Sequence, residues 1–550
     1  MGSLVIVAQS SNGWAGGLRD CMRRVESNGQ YYLLATDSFC NRNGRGEQKA
    51  ENSYVYVPSY ADDECMMPDL CEARQVFQQF MRLWPHKLIL LSSALIYGTG
   101  TARQSLVSED YSAPGQGRSE IAGRWRSLEA LAQECWNGST PFTILRPTTV
   151  LPSPALLSRR IMRPMTITLA GHDPMLQLLG MEDLARAVLC ALRGSGSGVF
   201  NVAPDGVVPL HAAIKLAHGY RLPLPRTCQQ LVRYAESLQY LRYPWTVSNQ
   251  KIKEQLGFMP RQSSAEVARA SRQPSSAHSA QWSAKPATEF DDFGMDRSYI
   301  ERLSRTVFKF LSNRYWRIEV KGLEHVPGQG RAVLVGTHRG FIPWDAVMTL
   351  HLVLQNTGRI PRYLTHPGLL KFPFISNFIT KLGGVVACQE SAESILARDE
   401  LLGVFPEGVQ GAFTPYRQAY QVRSFGRDTF VKLALRHHAP IIPYVIVGSA
   451  EIYPIFAQIK SRRWTRYSEW PCLPISTFPL LPLPIPTKWH LQFLPAINLH
   501  ERYGPEAAQN PAIIREISSA VRRQMQQAVN AMITRRRSWF RGSVFQSDPL

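Results

Sequence analysis

Short apolar runs recur along this chain, each stopped by a small or polar turn and followed by a stretch of helical period. That alternation restricts what the chain can fold into. Leu4–Ala8, Tyr31–Ala35, Leu88–Leu91 and Phe142–Arg146 are such runs in the first half. Between them, Arg74–Trp84 sets Val76, Phe77, Phe80 and Met81 on one helical face, and a further helix is expected over Ile121–Glu134. Strands joined by helices pair in parallel, because a parallel connection needs a long crossover. The expectation for residues 1–260 is therefore a doubly wound parallel α/β sheet. Residues 261–292 are read as a linker, since Gln262–Ala287 is rich in Ser, Ala and Gln and has no period. Alternation resumes over 293–550, with strands at Ala332, Val385, Leu401, Ile441 and His490. Helices are expected over Trp344–Leu354, Ser391–Arg398 and Ser424–Arg436, and a long amphipathic one over Pro511–Phe540.

Charge separates the two halves. Residues 1–250 hold 24 Lys and Arg against 20 Asp and Glu, whereas residues 301–550 hold 31 against 16. No zinc-finger or RNA-binding pattern accompanies the basic half, so an anionic membrane surface or the phosphates of an acyl carrier are the expected partners rather than nucleic acid. No apolar run reaches the roughly 20 residues of a spanning helix. Pro471–Pro486 is uncharged but has six prolines in sixteen residues, which rules out a continuous helix there. Nine scattered cysteines without a Cys-x-x-Cys pair, and an N-terminus without a signal-peptide pattern, fit a cytoplasmic protein docked peripherally on a bilayer. No metal-ligand spacing stands out.

The chemistry concentrates in Val335-Gly-Thr-His338-Arg-Gly-Phe-Ile-Pro-Trp-Asp345 and, further on, Val404-Phe-Pro-Glu407-Gly408. A strand delivers a His onto a loop with an Asp behind it, the minimal equipment for general-base catalysis. No Ser or Cys elbow lies nearby, so the His would activate an external hydroxyl. These blocks, followed by Lys381–Cys388 and Ala439–Ile446 in the same order, resemble the glycerolipid (lysophosphatidic acid-type) acyltransferase family. The resemblance implies a C-terminal α/β acyltransferase domain that moves a fatty acyl group from acyl-CoA or acyl carrier protein to a lipid hydroxyl. It implies His338 and Asp345 as the catalytic pair, and Glu407 and Gly408 as lining the acceptor pocket. Two departures stand out: six residues rather than four separate His from Asp, and the family's phosphate-clamping Arg has no counterpart at Cys388-Gln-Glu-Ser391. Either Arg417, Arg423 or Arg427 supplies that clamp, or the acceptor carries no phosphate in the pocket. For the membrane contact, Trp344, Leu369–Phe378, the Pro471–Pro486 run and the basic clusters Arg462–Arg466 and Arg535–Arg541 are the candidates.

In the first half, Gly13-Trp-Ala-Gly16 follows the first strand and Asp37 closes the second. Glycines there let a pyrophosphate approach a helix N-terminus while the acid takes ribose hydroxyls. With Leu90–Gly98, Thr143–Pro147, Gly180–Val188 and Gly198–Ala203 in order, residues 3–260 resemble the extended short-chain dehydrogenases/reductases, the epimerase and dehydratase group with a Rossmann-like fold. The resemblance implies NAD(P) as cofactor, with Gly13, Gly16, Asp37 and Ser92 toward it. Its catalytic Tyr-x-x-x-Lys aligns with Ile121–Glu129, which has neither residue. Redox chemistry is not expected; nucleotide binding and a purely structural domain both stay open. An active epimerase and a non-catalytic lipid-binding scaffold are the rival readings of the whole chain.

Overall fold

Six strands of the first half, each apolar and short, assemble side by side: β1 (Leu4–Ala8), β2 (Tyr31–Ala35), β3 (Ser53–Tyr56), β4 (Lys87–Leu91), β5 (Phe142–Pro147) and β6 (Gly198–Val202). Their order is β6-β5-β4-β3-β1-β2, and every neighbouring pair is parallel. Successive side chains point to opposite faces of a strand, so the sheet feeds two cores. Val7, Tyr54, Leu88 and Ile144 meet helices α2 (Leu70–Leu83) and α3 (Glu120–Cys135) on one face. Ile6, Val55, Ile89 and Leu145 meet α1 (Gly13–Val25) and α4 (Met181–Arg193) on the other. The unit is a doubly wound, Rossmann-like sheet, and its winding reverses between β1 and β3, where such folds bind ligands.

The computed structural model describes residues 3–9, 13–41, 52–58, 60–62, 67–83, 85–98, 106–111, 119–136, 138, 140–153, 156–194, 197–217, 219–224, 240–242, 245–271, 291, 293–366, 368–369, 372, 374–426, 428–460, 470–478 and 483–545. The chain forms two units, Met1–Gly294 and Met295–Leu550. The stretch expected as a linker opens with a helix, α5 (Ser264–Ala270). Ser263 and Glu266 form a reciprocal capping box, and Val267 and Ala268 enter the first core. The Ser-x-x-Glu signature that starts a helix thus outweighs the local Ser and Ala content. The remainder of that stretch, 272–290, lies outside the described residues.

The second unit has a seven-stranded sheet: β7 (Glu319–Lys321), β8 (Ala332–Gly336), β9 (Arg362–Thr365), β10 (Val385–Val386), β11 (Leu401–Val404), β12 (Ile441–Val447) and β13 (His490–Phe493). The order is β7-β13-β12-β8-β11-β9-β10, parallel from β12 to β10, with β13 antiparallel to β12. Strand β8 runs at the centre, fully buried, between β11 and β12. Within the proline-rich run, Leu473–Ser476 is extended and pairs antiparallel with Ile455–Ile459, while 479–482 lie outside the described residues. The last helix, Pro511–Arg535, stops short of Phe540, and no described helix is long and apolar enough to cross a membrane.

The unit opens on helix α6 (Arg297–Leu303), capped by Asp296 and continued by π-helical turns at Ser304–Phe308 and Leu311–Tyr315. Ile300, Ser304, Phe308, Ser312 and Trp316 are the buried positions, spaced every four residues. An α-helix at 3.6 residues per turn would rotate that ridge off the core. The wider π turns, seen in the 2.8 Å bond from Trp316 N–H to the Leu311 carbonyl, keep it in line. Ser304 on this ridge sits 2.5 Å from Nδ1 of the buried His351.

Burial pushes the His351 imidazole down to about 4, and burial does the same to His490 on β13. Both are neutral in the fold, while the unfolded chain binds their protons at a pH near 6.5. Their stability contribution is complete above pH 6.5 and is lost as the pH falls through about 4. Thermal unfolding followed over that window is expected to show the melting temperature of this unit dropping with acid, and dropping less steeply in His351→Gln. A melting temperature that does not change across the window would contradict the burial of these imidazoles.

Candidate active site

Strands β8 and β11 are parallel neighbours with Val335 opposite Val404. Three residues beyond each partner stand His338 and Glu407, so the two loops leave the sheet side by side at its carboxyl edge. After His338 the chain turns at Gly340, whose φ of +93° is left-handed and closed to most side chains. It re-enters helix α7 (Trp344–Thr357) with Asp345 in the first turn, where the helix dipole favours a carboxylate. The six intervening residues close the dyad: His338 Nδ1 lies 3.0 Å from Asp345 Oδ2. That oxygen also accepts the Arg339 backbone N–H at 2.7 Å, and Asp345 is wholly buried.

Ring stacking sets the plane of the imidazole. His338 lies on Phe405 at 4.5 Å between centroids, and Phe405 on Tyr363 at 5.3 Å. The Tyr363 hydroxyl is 3.1 Å from that of Tyr444, and burial drives both phenols up, helped by the nearby Asp345 charge. With Nδ1 turned to Asp345, Nε2 has no hydrogen-bond partner among the described residues, and the side chain is 14% exposed. An imidazole held by its inner nitrogen and open at its outer one is arranged to take a proton from an incoming group.

Glu407, expected to line the acceptor pocket, has both oxygens committed within the protein. Oε1 accepts from Arg339 Nη1 at 2.8 Å, and Oε2 accepts the Arg423 backbone N–H at 2.9 Å. Gly408 follows with φ +58° and is exposed. Arg339, which the sequence reading passed over, organises the site. Its guanidinium is 3% exposed and also donates to the carbonyls of His338, Ala419 and Gln421. Opposite charges four and three residues past the ends of two apolar strands, Arg339 after Val335 and Glu407 after Val404, were the available signal. Arg417 is exposed, and Arg423 turns its guanidinium outward to Gln418 at 3.0 Å. Arg427 lies outside the described residues, as does the basic cluster 462–466. Trp344, expected at an interface with lipid, packs on Trp316 at 5.3 Å. Among the described residues, no group of three His, Cys, Asp or Glu is placed to hold a metal ion.

In the first unit the polar groups at the ends of β4 and β5 pair with one another. Ser92 donates to Glu129 at 2.6 Å, and Arg146 pairs with both Glu129 oxygens at 2.9 and 2.6 Å. The same guanidinium donates to the Tyr97 hydroxyl at 2.7 Å, which in turn donates to Asn201 at 2.7 Å. Burial pushes the Tyr97 phenol up to about 12 despite the lowering by Arg146. Nearer the winding reversal, Gly13 and Gly16 lie on α1 with open space around the first, and Asp37 is exposed in the short helix Thr36–Cys40 after β2. Ser92, Glu129, Arg146, Tyr97 and Asn201 thus form one closed network.

Fold and site define a two-unit α/β protein, a Rossmann-like unit followed by an acyltransferase unit. The Acyltransferase family model matches residues 317–447. Over 261 residues the chain is 34% identical to the uncharacterized protein Rv0502 of Mycobacterium tuberculosis, covering 46% of this chain and 72% of that one. A Mycobacterium leprae protein, ML2427, is 34% identical over 262 residues, 46% of this chain and 70% of its own length. The chain belongs to one family with these mycobacterial proteins, and residues 317–447 are its acyltransferase domain. It is also 27% identical over 151 residues to phytyl ester synthase 2 of Arabidopsis thaliana, 26% of this chain and 21% of that one. Among solved structures it is similar to MoeE5 in complex with UDP-glucuronic acid and NAD, with TM-score 0.39 and 14% identity over 48% of this chain and 96% of that chain. The UDP-glucose 4-epimerase of Thermotoga maritima gives TM-score 0.39 and 14% identity over 49% and 97%.

Removing one partner of a buried ion pair leaves an uncompensated charge and costs about 3–5 kcal/mol. Arg339→Met is therefore expected to lower the stability of the second unit by about that amount. Arg339→Met combined with Glu407→Met should recover most of the loss, while turnover stays low because the carbonyls of Ala419 and Gln421 remain unpaired. Calorimetry of the two variants checks this; a near-neutral single variant would mean the pair is hydrated.

Proposed function

We propose that the second unit transfers a fatty acyl group from a thioester, acyl-CoA or acyl carrier protein, to the hydroxyl of an uncharged lipid. The open Nε2 of an imidazole fixed by Asp345 and by stacking carries this reading. His338 Nε2 removes the acceptor hydroxyl proton, while its Nδ1–H donates to Asp345 and steadies the imidazolium. The alkoxide adds to the thioester carbonyl, the tetrahedral adduct collapses, and the thiolate leaves with the proton returned from His338. General-base assistance of this kind is worth about 10²–10⁴ in rate.

The uncharged acceptor is supported by what surrounds His338. The adjacent cation, Arg339, is neutralised by Glu407 and spends its other donors on carbonyls. Arg417 and Arg423 lie at the surface. A phosphate drawn into the pocket would lose water without gaining a guanidinium. The name of the Arabidopsis relative, a phytyl ester synthase, points to a long-chain alcohol as acceptor. A 1-acylglycerol-3-phosphate acceptor is the second reading, and it requires Arg417 or Arg423 to turn inward.

His338→Ala is expected to abolish acyl transfer in a folded protein, and Asp345→Asn to lower it by about 10²–10⁴. With matched acyl donors, a long-chain alcohol or monoacylglycerol should exceed lysophosphatidic acid by about tenfold or more in kcat/KM, the cost of an unpaired charge in the pocket. A preference for lysophosphatidic acid that vanishes in Arg423→Ala would reverse the choice of acceptor and leave acyl transfer standing.

For the first unit the proposal is nucleotide binding without redox turnover. Purified protein should bind NAD weakly through Gly13, Gly16 and Asp37 and reduce none of it with UDP-sugars. Steady formation of NADH would overturn this.

A further inference from the structure

The four-residue repeat of the helix beginning at Arg297 divides its surface into four ridges. Ile300, Ser304, Phe308, Ser312 and Trp316 face the core. The ridge opposite carries Arg302, Thr306, Phe310 and Arg314, and one flank carries Arg305 and Lys309. On the other flank Val307 is 48% exposed, and Phe310 on the outer ridge is 56% exposed. Bulky apolar groups and four cations therefore share one solvent face, on which Glu301 is the lone acid, 3.8 Å from Arg305.

This face continues beyond the helix. Tyr315, which touches Phe310 at 6.2 Å between rings, donates to the Pro484 carbonyl at 2.6 Å, next to Leu483, which is 74% exposed. Arg317 donates to the carbonyls of Pro486 at 2.8 Å and Phe540 at 3.2 Å. Trp539 and Phe540, 38% and 46% exposed, are flanked by the exposed Arg535, Arg537 and Arg541. Three separate chain segments thus bring apolar and basic side chains to one continuous rim.

We infer that this rim, formed by the Arg297–Tyr315 helix, the Leu483–Pro486 segment and the Arg535–Arg541 arm, seats the acyltransferase unit on an anionic lipid bilayer. Aliphatic and aromatic side chains among cations match an interface with an apolar interior under negative headgroups. A nucleic acid would use the cations but leave Val307 and Leu483 without partners. The helix that carries the seat is tied to the candidate active site through its buried ridge, where Trp316 packs on Trp344, the residue before Asp345. The inference rests on this surface alone and is separate from the choice of reaction.

Flotation of the full-length protein with phosphatidylcholine vesicles, with and without phosphatidylglycerol, tests it. Strong binding is expected only with phosphatidylglycerol, and His338→Ala should bind equally well. Each cation near such a surface contributes about fivefold in partition, so Arg302→Gln, Arg305→Gln and Lys309→Gln together should lower binding about a hundredfold. The Glu versions of the same three should lower it further, and Val307→Ser with Phe310→Ser should abolish the binding that survives high salt. Circular dichroism checks that these surface variants are folded. Wild-type protein that stays off the anionic vesicles, variants that bind like wild type, or displacement of the vesicles by short duplex DNA would each overturn the proposal. Vesicle binding without acyl transfer would count against the reaction alone.

Discussion

A buried ion pair between two parallel strand ends holds the second unit's candidate site together. Arg339 and Glu407 meet at 2.8 Å with almost no exposure, a desolvation that stabilises a fold only when the remaining donors and acceptors find partners. They do. The guanidinium holds the Ala419 and Gln421 carbonyls, and Glu407 holds the Arg423 N–H, so one side of the segment 419–423 is fixed. Gln526 of the last helix fixes the other side, accepting from Val422 N–H at 2.6 Å and donating to the Tyr420 carbonyl at 3.0 Å. The segment turns out of the short helix Tyr416–Gln418, and the two side chains from distant elements take different backbone groups of that turn without competing. The Arg339 N–H on Asp345 then carries the same order into the dyad.

The strands and most helices were legible because their periods are strong: β8, β11 and β12 are apolar throughout and lie where the runs at Ala332, Leu401 and Ile441 placed them. His338 and Asp345 were legible as a pair of residue types, and the loop between them brings them into hydrogen-bond range. What stayed hidden was pairing across strands. Glu407 reads in sequence as a turn carboxylate open to a ligand, and Arg339 carries no signal of its own; only the register of β8 against β11 makes them partners. The helix at Ser264 was hidden for another reason, because a capping box is a local signal and the surrounding composition argued for a linker.

The first unit uses the same chemistry to the opposite end. Glu129 and Arg146 also form a buried bidentate pair, but their surroundings complete it with Ser92, Tyr97 and Asn201. A network whose members satisfy one another gives a substrate nothing to bind and resists opening, because each group removed leaves another unpaired in a low dielectric. In the second unit's candidate site, by contrast, His338 Nε2 and Asp345 Oδ1 have no hydrogen-bond partner among the described residues. The contrast separates a site from a filled one on physical grounds, without appeal to which residues a family retains.

The longer His–Asp loop has a structural reason of its own. A dyad needs only enough chain to turn back into the helix, and the turn at Gly340 does that. The extra residues bring in Phe341, which lies 6.0–6.3 Å between ring centroids from Phe413, Tyr453, Trp470 and Phe478. Phe413 follows the Glu-Gly turn by one short helix, and Phe478 belongs to the proline-rich run. The insertion therefore ties the His loop to the Glu407 loop a second time, through rings rather than charge. Proline in the 471–486 run, which forbids a helix, keeps Trp470 and Phe478 on extended chain able to reach that cluster. Loop length and proline content, which look like two unrelated departures in the sequence, meet at one aromatic contact beside the imidazole.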